Sequence, residues 1–285
     1  MNQLNTQERS RILQHLVEGL SICSTARLTG FRKETISKLV CDIGPACQSL
    51  HNALARNLAP RRIQLDEVWT FVYAKDHTLK TNGLAPDDSK GSKWQWIAFD
   101  PDSKFNVQWH IGNRTLADAI LFLRKLHFRL REPITSQLIS DGYTPYIEAV
   151  ATVFGTEIDY GMLVKIYGTG KSGIRRGVIG TIPARVFGNL DLKRLSTSFV
   201  ERYNLTLRMN NRRLTRKTNG FSKKFENLVD HISLYSFYYN FCRVHQSCVR
   251  LSKMGRYSEL ITPAMNIGIA DHVWTMEELI NETLE

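Results

Sequence analysis

Residues 63–75, 94–99 and 105–111 read as three successive extended segments with no helix predicted between them, and this run constrains the fold more than any other feature. The first is rich in aromatic and β-branched residues, and the second and third are joined by the turn-forming Asp100, Pro101 and Asp102. Three strands in direct succession pair antiparallel. The period then changes. Leu116, Ile120, Leu123 and Leu126 mark one face of a helix over 115–130, residues 137–140 read as a short strand, and 145–154 as a second helix. A strand over 157–164, a Gly-rich basic loop and a helix over 199–209 follow. Strand–helix–strand crossovers added to an antiparallel start predict an α/β fold with one mixed sheet flanked by helices.

Upstream, 6–58 reads as a helical module. Ile12, Leu16 and Leu20 recur at helical spacing beside Leu13 and Val17, and Ser21 caps a short second helix that Thr29, Gly30 and Phe31 end. A third helix over 32–40 buries Ile36, Leu39 and Val40 and turns Arg32, Lys33, Thr35 and Lys38 outward, the spacing of a helix-turn-helix with a recognition helix. Gly44 and Pro45 are expected to break this pattern before a further helix that runs to about residue 58. The domain boundary is placed there, giving 1–60, 61–245 and a C-terminal helical extension over 246–285. In that extension Thr275 and Glu278 match a capping box for a last helix.

The formal charge of +11 is local: 160–224 holds 15 Lys or Arg against two acids. Such a stretch attracts polyanions, and arginine suits bidentate phosphate contacts. No apolar run has the length of a membrane span, and the start lacks the basic-then-apolar pattern of a secretory signal. The five cysteines, Cys23, Cys41, Cys47, Cys242 and Cys248, form no Cys-x-x-Cys pair, which argues against a zinc site and for a reducing cytoplasm. Gly168 to Gly173 tempts a phosphate-binding-loop reading, but the position that would need the first glycine is Lys165.

Three acids stand out against this frame: Asp66 inside the first strand, Asp141 just past the fourth, and Glu201 on the helix after the fifth. Aspartate is depleted from strand interiors, and an ionised carboxylate between Leu65 and Val68 is costly without a partner. A cation is one such partner. Hard oxygen donors suit Mg²⁺, and two ions about 3.5 to 4 Å apart stabilise both the attacking and the leaving oxygen of a phosphoryl transfer. Glu67 points to the opposite sheet face from Asp66 and is not counted as a ligand. Singly, each acid has a plainer reading: a turn at Asp141 and Gly142, a solvated Asp66, or a Glu201 paired with an arginine of its own helix.

The segments Gln64 to Val72, Ser140 to Tyr143, Val200 to Asn204, Arg213 to Ser222 and Tyr239 to His245 resemble those of insertion-sequence transposases, the family of bacterial insertion sequence one above all. The likeness spans about 61–274. It implies a ribonuclease H-like catalytic domain behind an all-α helix-turn-helix domain, and an Asp-Asp-Glu triad at Asp66, Asp141 and Glu201 holding two Mg²⁺, with Mn²⁺ as a substitute. Members of this family bind the terminal inverted repeats of an element, cleave at its ends to expose 3′-OH groups, and transfer these to target DNA. Double-stranded DNA, a homodimer or higher oligomer in the synaptic complex, and a nucleoid-associated location are implied. Unlike many relatives, the chain has no Cys-type finger ahead of its helical module, and 246–261 is longer than the pattern leads one to expect.

The basic surroundings fit that reading. Arg208 and Arg212, at i and i+4, are expected on one helical face leading away from Glu201, with Arg213, Arg216 and Lys217 continuing the patch. Lys171, Arg175 and Arg176 are read as a DNA-contacting loop between the fifth strand and the Glu201 helix. His245 is a candidate accessory residue with an equally good reading as a structural histidine, and the aromatics of 228–241 read as a helix packed on the sheet. Two rival functions remain open: a ribonuclease H-like nuclease or resolvase without strand joining, and a DNA-binding regulator with an idle catalytic fold.

Overall fold

A computed structural model describes residues 4–156, 158–169, 175–251 and 258–284. Its centre is a six-stranded mixed sheet in the order β3-β2-β1-β4-β5-β6, built from β1 (Arg62–Val72), β2 (Gly91–Phe99), β3 (Asn106–Gly112), β4 (Gln137–Asp141), β5 (Tyr160–Thr169) and β6 (Arg175–Phe187). The first three strands pair antiparallel, β4 joins β1 in parallel, and β5 joins β4 in parallel. The two parallel joins need crossovers, which α5 (Leu116–His127) and α6 (Pro145–Phe154) supply. A sheet of this kind, flanked by helices, is compatible with a ribonuclease H-like fold.

The two faces of the sheet are covered differently. Trp96, paired with Glu67, packs on Phe122 of α5 and Tyr146 of α6 at ring distances of 6.0 and 5.7 Å. On the other face Phe99, paired with Gln64, stacks on Tyr203 of α7 (Ser198–Asn210) at 4.9 Å. Period-two alternation along β1 thus assigns Gln64 and Asp66 to the α7 side and Glu67 to the α5/α6 side.

Before the sheet come α1 (Thr6–Val17), α2 (Ile22–Thr29) and α3 (Lys33–Leu54). Gly30 ends α2 in the left-handed conformation, leaving the tight turn into α3 that the sequence predicts. The expected break at Gly44 and Pro45 does not occur: α3 runs straight through both. Proline removes one backbone bond, whereas the face carrying Ile36, Leu39, Val40, Ile43, Cys47 and His51 is buried along the whole helix. Gly44 is the close-approach point, since a Cβ there would lie 2.4 Å from Asp230 Cβ on α8 (Phe225–Phe237). His51 continues the seam. It stacks on Phe105 at 5.5 Å and meets Asn240 Nδ2 at 2.9 Å, so the buried residues of α1 to α3 belong to the same apolar cluster as the sheet.

Between β1 and β2, where no helix is expected, the chain makes a short one, α4 (Asp76–Thr81), which buries Leu79 and is tied to β2 by Ser92 N donating to Asp76. A further departure from expectation is β6. Gly177, Gly180 and Pro183 make 175–187 look like loop, yet it pairs antiparallel with β5. It is the last strand of the sheet, where a missing N–H is tolerated. Beyond α8 a π-helical turn, Tyr238–Cys242, places Asn240 so that its side-chain amide accepts from Asn106 N and donates to Asn106 O, both at 2.9 Å. The rest of the chain has a two-stranded ladder, β7 (Val249–Leu251) with β8 (Ser258–Leu260), then α9 (Pro263–Ile267) and α10 (Met276–Leu284). The capping box of α10 is formed: Thr275 N donates to Glu278 and Glu278 N to Thr275 Oγ1. Among the described residues, no helix is long and apolar enough to cross a membrane.

Candidate active site

Strand register brings the first two acids together. Leu65 pairs with Ser140 in the parallel β1–β4 ladder, so Asp66 and Asp141 stand side by side one step further on, their side chains on the same face. Asp141 in turn pairs with Leu163 of β5, and Lys165, two residues along, shares that face. Helix α7 lies over it. Gln64 Oε1 accepts from Val200 N at 2.8 Å, and Asp66 Oδ2 accepts from Asn204 Nδ2 at 2.7 Å, so two residues of β1 hold the first turns of α7 in place. Glu201 lies between those two anchor points. Its Oε1 accepts from Lys165 Nζ at 2.6 Å and from Thr197 Oγ1 at 3.1 Å.

The electrostatics record this proximity. Burial pushes the Asp66 carboxyl up to about 6, the Asp141 and Glu201 charges add to the rise, and Lys165 and the Glu67 N–H oppose it. Burial alone would lower the Lys165 ammonium, but Glu201, Asp66 and Asp141 together hold it above its ordinary value. On the opposite face Glu67, its side chain almost fully buried, is held by Arg114 through contacts of 3.2 and 3.0 Å; burial raises it to about 7. Arg114 also lies over the Tyr143 ring at 4.0 Å.

Hard carboxylate oxygens in mutual repulsion are the donor set a small divalent cation relieves, so the chemistry of Asp66, Asp141 and Glu201 fits such an ion. Their convergence is incomplete: among the described residues no three His, Cys, Asp or Glu side chains come together closely enough to hold a metal. Glu201 has the ammonium of Lys165 as its counter-charge instead. An arginine of its own helix is not that partner.

Of the basic residues, Arg208 is on α7 at i+7 from Glu201. Burial and Arg216 lower its guanidinium, while Asp66 supports its charge, and its buried Nε has no partner among the described residues. Arg212 does not share that face, because α7 ends at Asn210. Asn211 is extended and its Oδ1 accepts from Arg213 N, which turns the chain out of the helix. Arg213 donates to the carbonyls of Gly220 and Phe221 at 3.3 and 3.2 Å and so braces the following loop, on which Arg216 and Lys217 are exposed. Arg32, Lys33 and Lys38 at the start of α3 are exposed, Thr35 is half-buried, and Lys38 pairs with Asp42 at 2.8 Å. Lys171 and the side chains of Arg175 and Arg176 lie outside the described residues; the backbone of the two arginines starts β6. His245 is elsewhere, its Nδ1 accepting from Ser247 N and meeting Ser247 Oγ at 2.9 Å.

Sequence reasoning missed Lys165, Asn204 and Gln64. Two of them carry a spacing signal, Gln64 two residues from Asp66 on a strand and Asn204 one helical turn from Glu201, whereas Lys165 is placed by the register of β4 and β5 alone.

No protein-family model matches the sequence, and no curated protein matches it. Among solved structures the chain is similar to the Mos1 transposase in its paired-end complex with the left transposon end, with 12% identity and a TM-score of 0.21. That match covers 54% of this chain and 59% of the other, so this chain spans less than two thirds of the length of the structure it matches.

Proposed function

We propose that the protein is a DNA transposase of the DDE type, a polynucleotidyl transferase that exposes 3′-OH groups at the ends of a mobile element and joins them to target DNA. The observation that carries this reading is the side-by-side placement of Asp66 and Asp141 at the β1–β4 junction, with Glu201 above them on α7. Asp66, Asp141 and Glu201 would hold two Mg²⁺, which, when bound, supply Lewis-acid stabilisation of the oxygens that gain charge during phosphoryl transfer. The chain's own residues do the positioning. Asn204 fixes the Asp66 carboxylate, Gln64 fixes the start of α7, and Lys165 neutralises Glu201 until another cation takes its place. Arg208, Arg216 and Lys217 are suited to follow the DNA backbone away from the carboxylates, and Arg32, Lys33 and Lys38 to meet the terminal repeat. Synapsis of two ends calls for a dimer or larger assembly.

The Lys165–Glu201 pair favours one other reading, a DNA-binding regulator whose catalytic fold is idle because its third carboxylate is engaged. Incubation of the purified protein with an end oligonucleotide, a target plasmid and Mg²⁺ tests both. The transposase reading expects released 3′-OH ends and joined products that Asp66→Asn abolishes while DNA binding persists. Released ends that are never joined identify a nuclease. Binding without any strand cleavage, unchanged by Asp66→Asn, identifies the regulator.

A further inference from the structure

Helix α7 has a second face that borders a cavity. Glu201, Asn204 and Arg208 look toward the carboxylates, whereas Phe199, Arg202 and Thr206 line a cavity of about 720 Å³ on the other side, closed by Lys104 and by the turn carrying Arg243 and His245. Four groups that carry or can acquire positive charge, Lys104, Arg202, Arg243 and His245, line this space, and among the described residues no carboxylate does. The two acids that act on Lys104 also have partners of their own: Asp102 pairs with Arg62, and Asp100 takes the hydroxyl of Ser103.

Lys104 adds an independent observation. Its backbone sits at φ 65°, a conformation that glycine adopts freely and a lysine reaches only with strain. The turn nevertheless places the Lys104 ammonium 3.9 Å from the centroid of the Phe199 ring, at the cavity wall. Burial lowers the Lys104 ammonium against the pull of Asp102 and Asp100, and burial, Lys104 and Arg243 together lower His245. A cluster of cations lining a space with Phe99, Phe199 and Tyr239 is complementary to an anion with an apolar edge, as a sugar–phosphate chain has.

We propose that this cavity is a phosphate-binding site gripping the backbone of a DNA strand that crosses α7 on the side away from Asp66. The proposal rests on the DNA-processing reading and names a contact surface outside the carboxylate site. Helix α7 then separates two strand paths.

Fluorescence anisotropy of a labelled duplex bound by the full chain tests it, with Lys104→Gly combined with Arg202→Ala. Glycine suits the φ of position 104, so the fold is expected to persist, and circular dichroism checks this. Thr206→Glu, which puts a negative charge at the rim without touching the turn, serves as a second variant. Duplex affinity near 0.1 M salt should fall about tenfold in the double variant, and the slope of log K against log salt should drop by about two. Thr206→Glu should weaken binding in the same direction. If the wild type binds the duplex and both variants match it in affinity and slope, the cavity is not a DNA site and the carboxylate reading stands alone. If inorganic phosphate raises the melting temperature of the wild type but not of the variants, while duplex affinity is equal in all three, the cavity serves a free anion and the proposal is overturned. If the wild type binds no duplex, the DNA reading itself fails and takes this proposal with it.

Discussion

Asn204 donates its side-chain amide to Asp66 Oδ2 at 2.7 Å, so the helix that carries Glu201 is tied directly to the first carboxylate of the cluster. The Asn204 Oδ1 atom is buried without a hydrogen-bond partner among the described residues. In Asp66→Asn the new amide N–H would face this oxygen once Asn204 flips, and the Glu67 N–H would keep its acceptor. The substitution is therefore expected to preserve the fold and, on the transposase reading, to abolish strand cleavage.

The same substitution has a pH signature. Asp66 titrates near 6 in the folded chain, against about 3.9 unfolded, so the native state binds the extra proton between those values. Stability contributed by this group is present below pH 4 and lost as pH rises through 6. Asp66→Asn should then be more stable than the wild type at pH 7, by about 1–2 kcal/mol, with the gain vanishing near pH 4. Thermal melts at both pH values, without divalent ions, measure this.

Lys165→Met removes the cation that faces Glu201, Asp66 and Asp141. The expected result is lower stability in metal-free, low-salt buffer and a stability gain from added Mg²⁺ larger than the wild type shows, read as the shift in melting temperature. An equal or smaller Mg²⁺ response would mean that Lys165 does not stand where a cation binds.

Arg114→Ala leaves the buried Glu67 without its ion-pair partner. Because Glu67 titrates near 7 even with Arg114 present, its loss should cost more at pH 8, where the carboxylate must be charged, than at pH 6. Arg114 is one-third exposed, so about 1–2 kcal/mol at pH 8 is the expected size, measured by denaturant unfolding at the two pH values.

Gly44→Ala puts a methyl group into Asp230 at the α3–α8 crossing, a backbone-deep clash. Despite the better helix propensity of alanine, a loss of about 1–3 kcal/mol is expected from overpacking. A gain in melting temperature would show that the two helices can separate at no cost.

The sheet and its crossovers are legible because alternation and helical spacing are strong over 63–154; Asp66 stands out in the sequence because it breaks the pattern of its strand, and register sets it beside Asp141. Two elements were misread for opposite reasons. Gly44 and Pro45 signal a helix end locally, but burial of one whole face of α3 outweighs a single missing bond. Gly177, Gly180 and Pro183 signal a loop, but an edge strand tolerates them when its other side pairs with β5. Lys165 was invisible as a site residue because its role depends on register between β4 and β5, which no local pattern encodes. Arg212 was assigned to a helical face that Asn211 ends.

Gln64 and Asp66 fasten the first turns of α7 at Val200 and Asn204, on either side of Glu201, so the backbone beneath that glutamate has almost no room to travel. For Glu201 to exchange Lys165 for another partner, rotation about its own side-chain bonds is enough. Such flips in exposed residues take picoseconds to nanoseconds, whereas hinge motions take microseconds or longer. If the site takes a divalent ion as proposed, loading should therefore be as fast as ions arrive, with no slow conformational phase of its own.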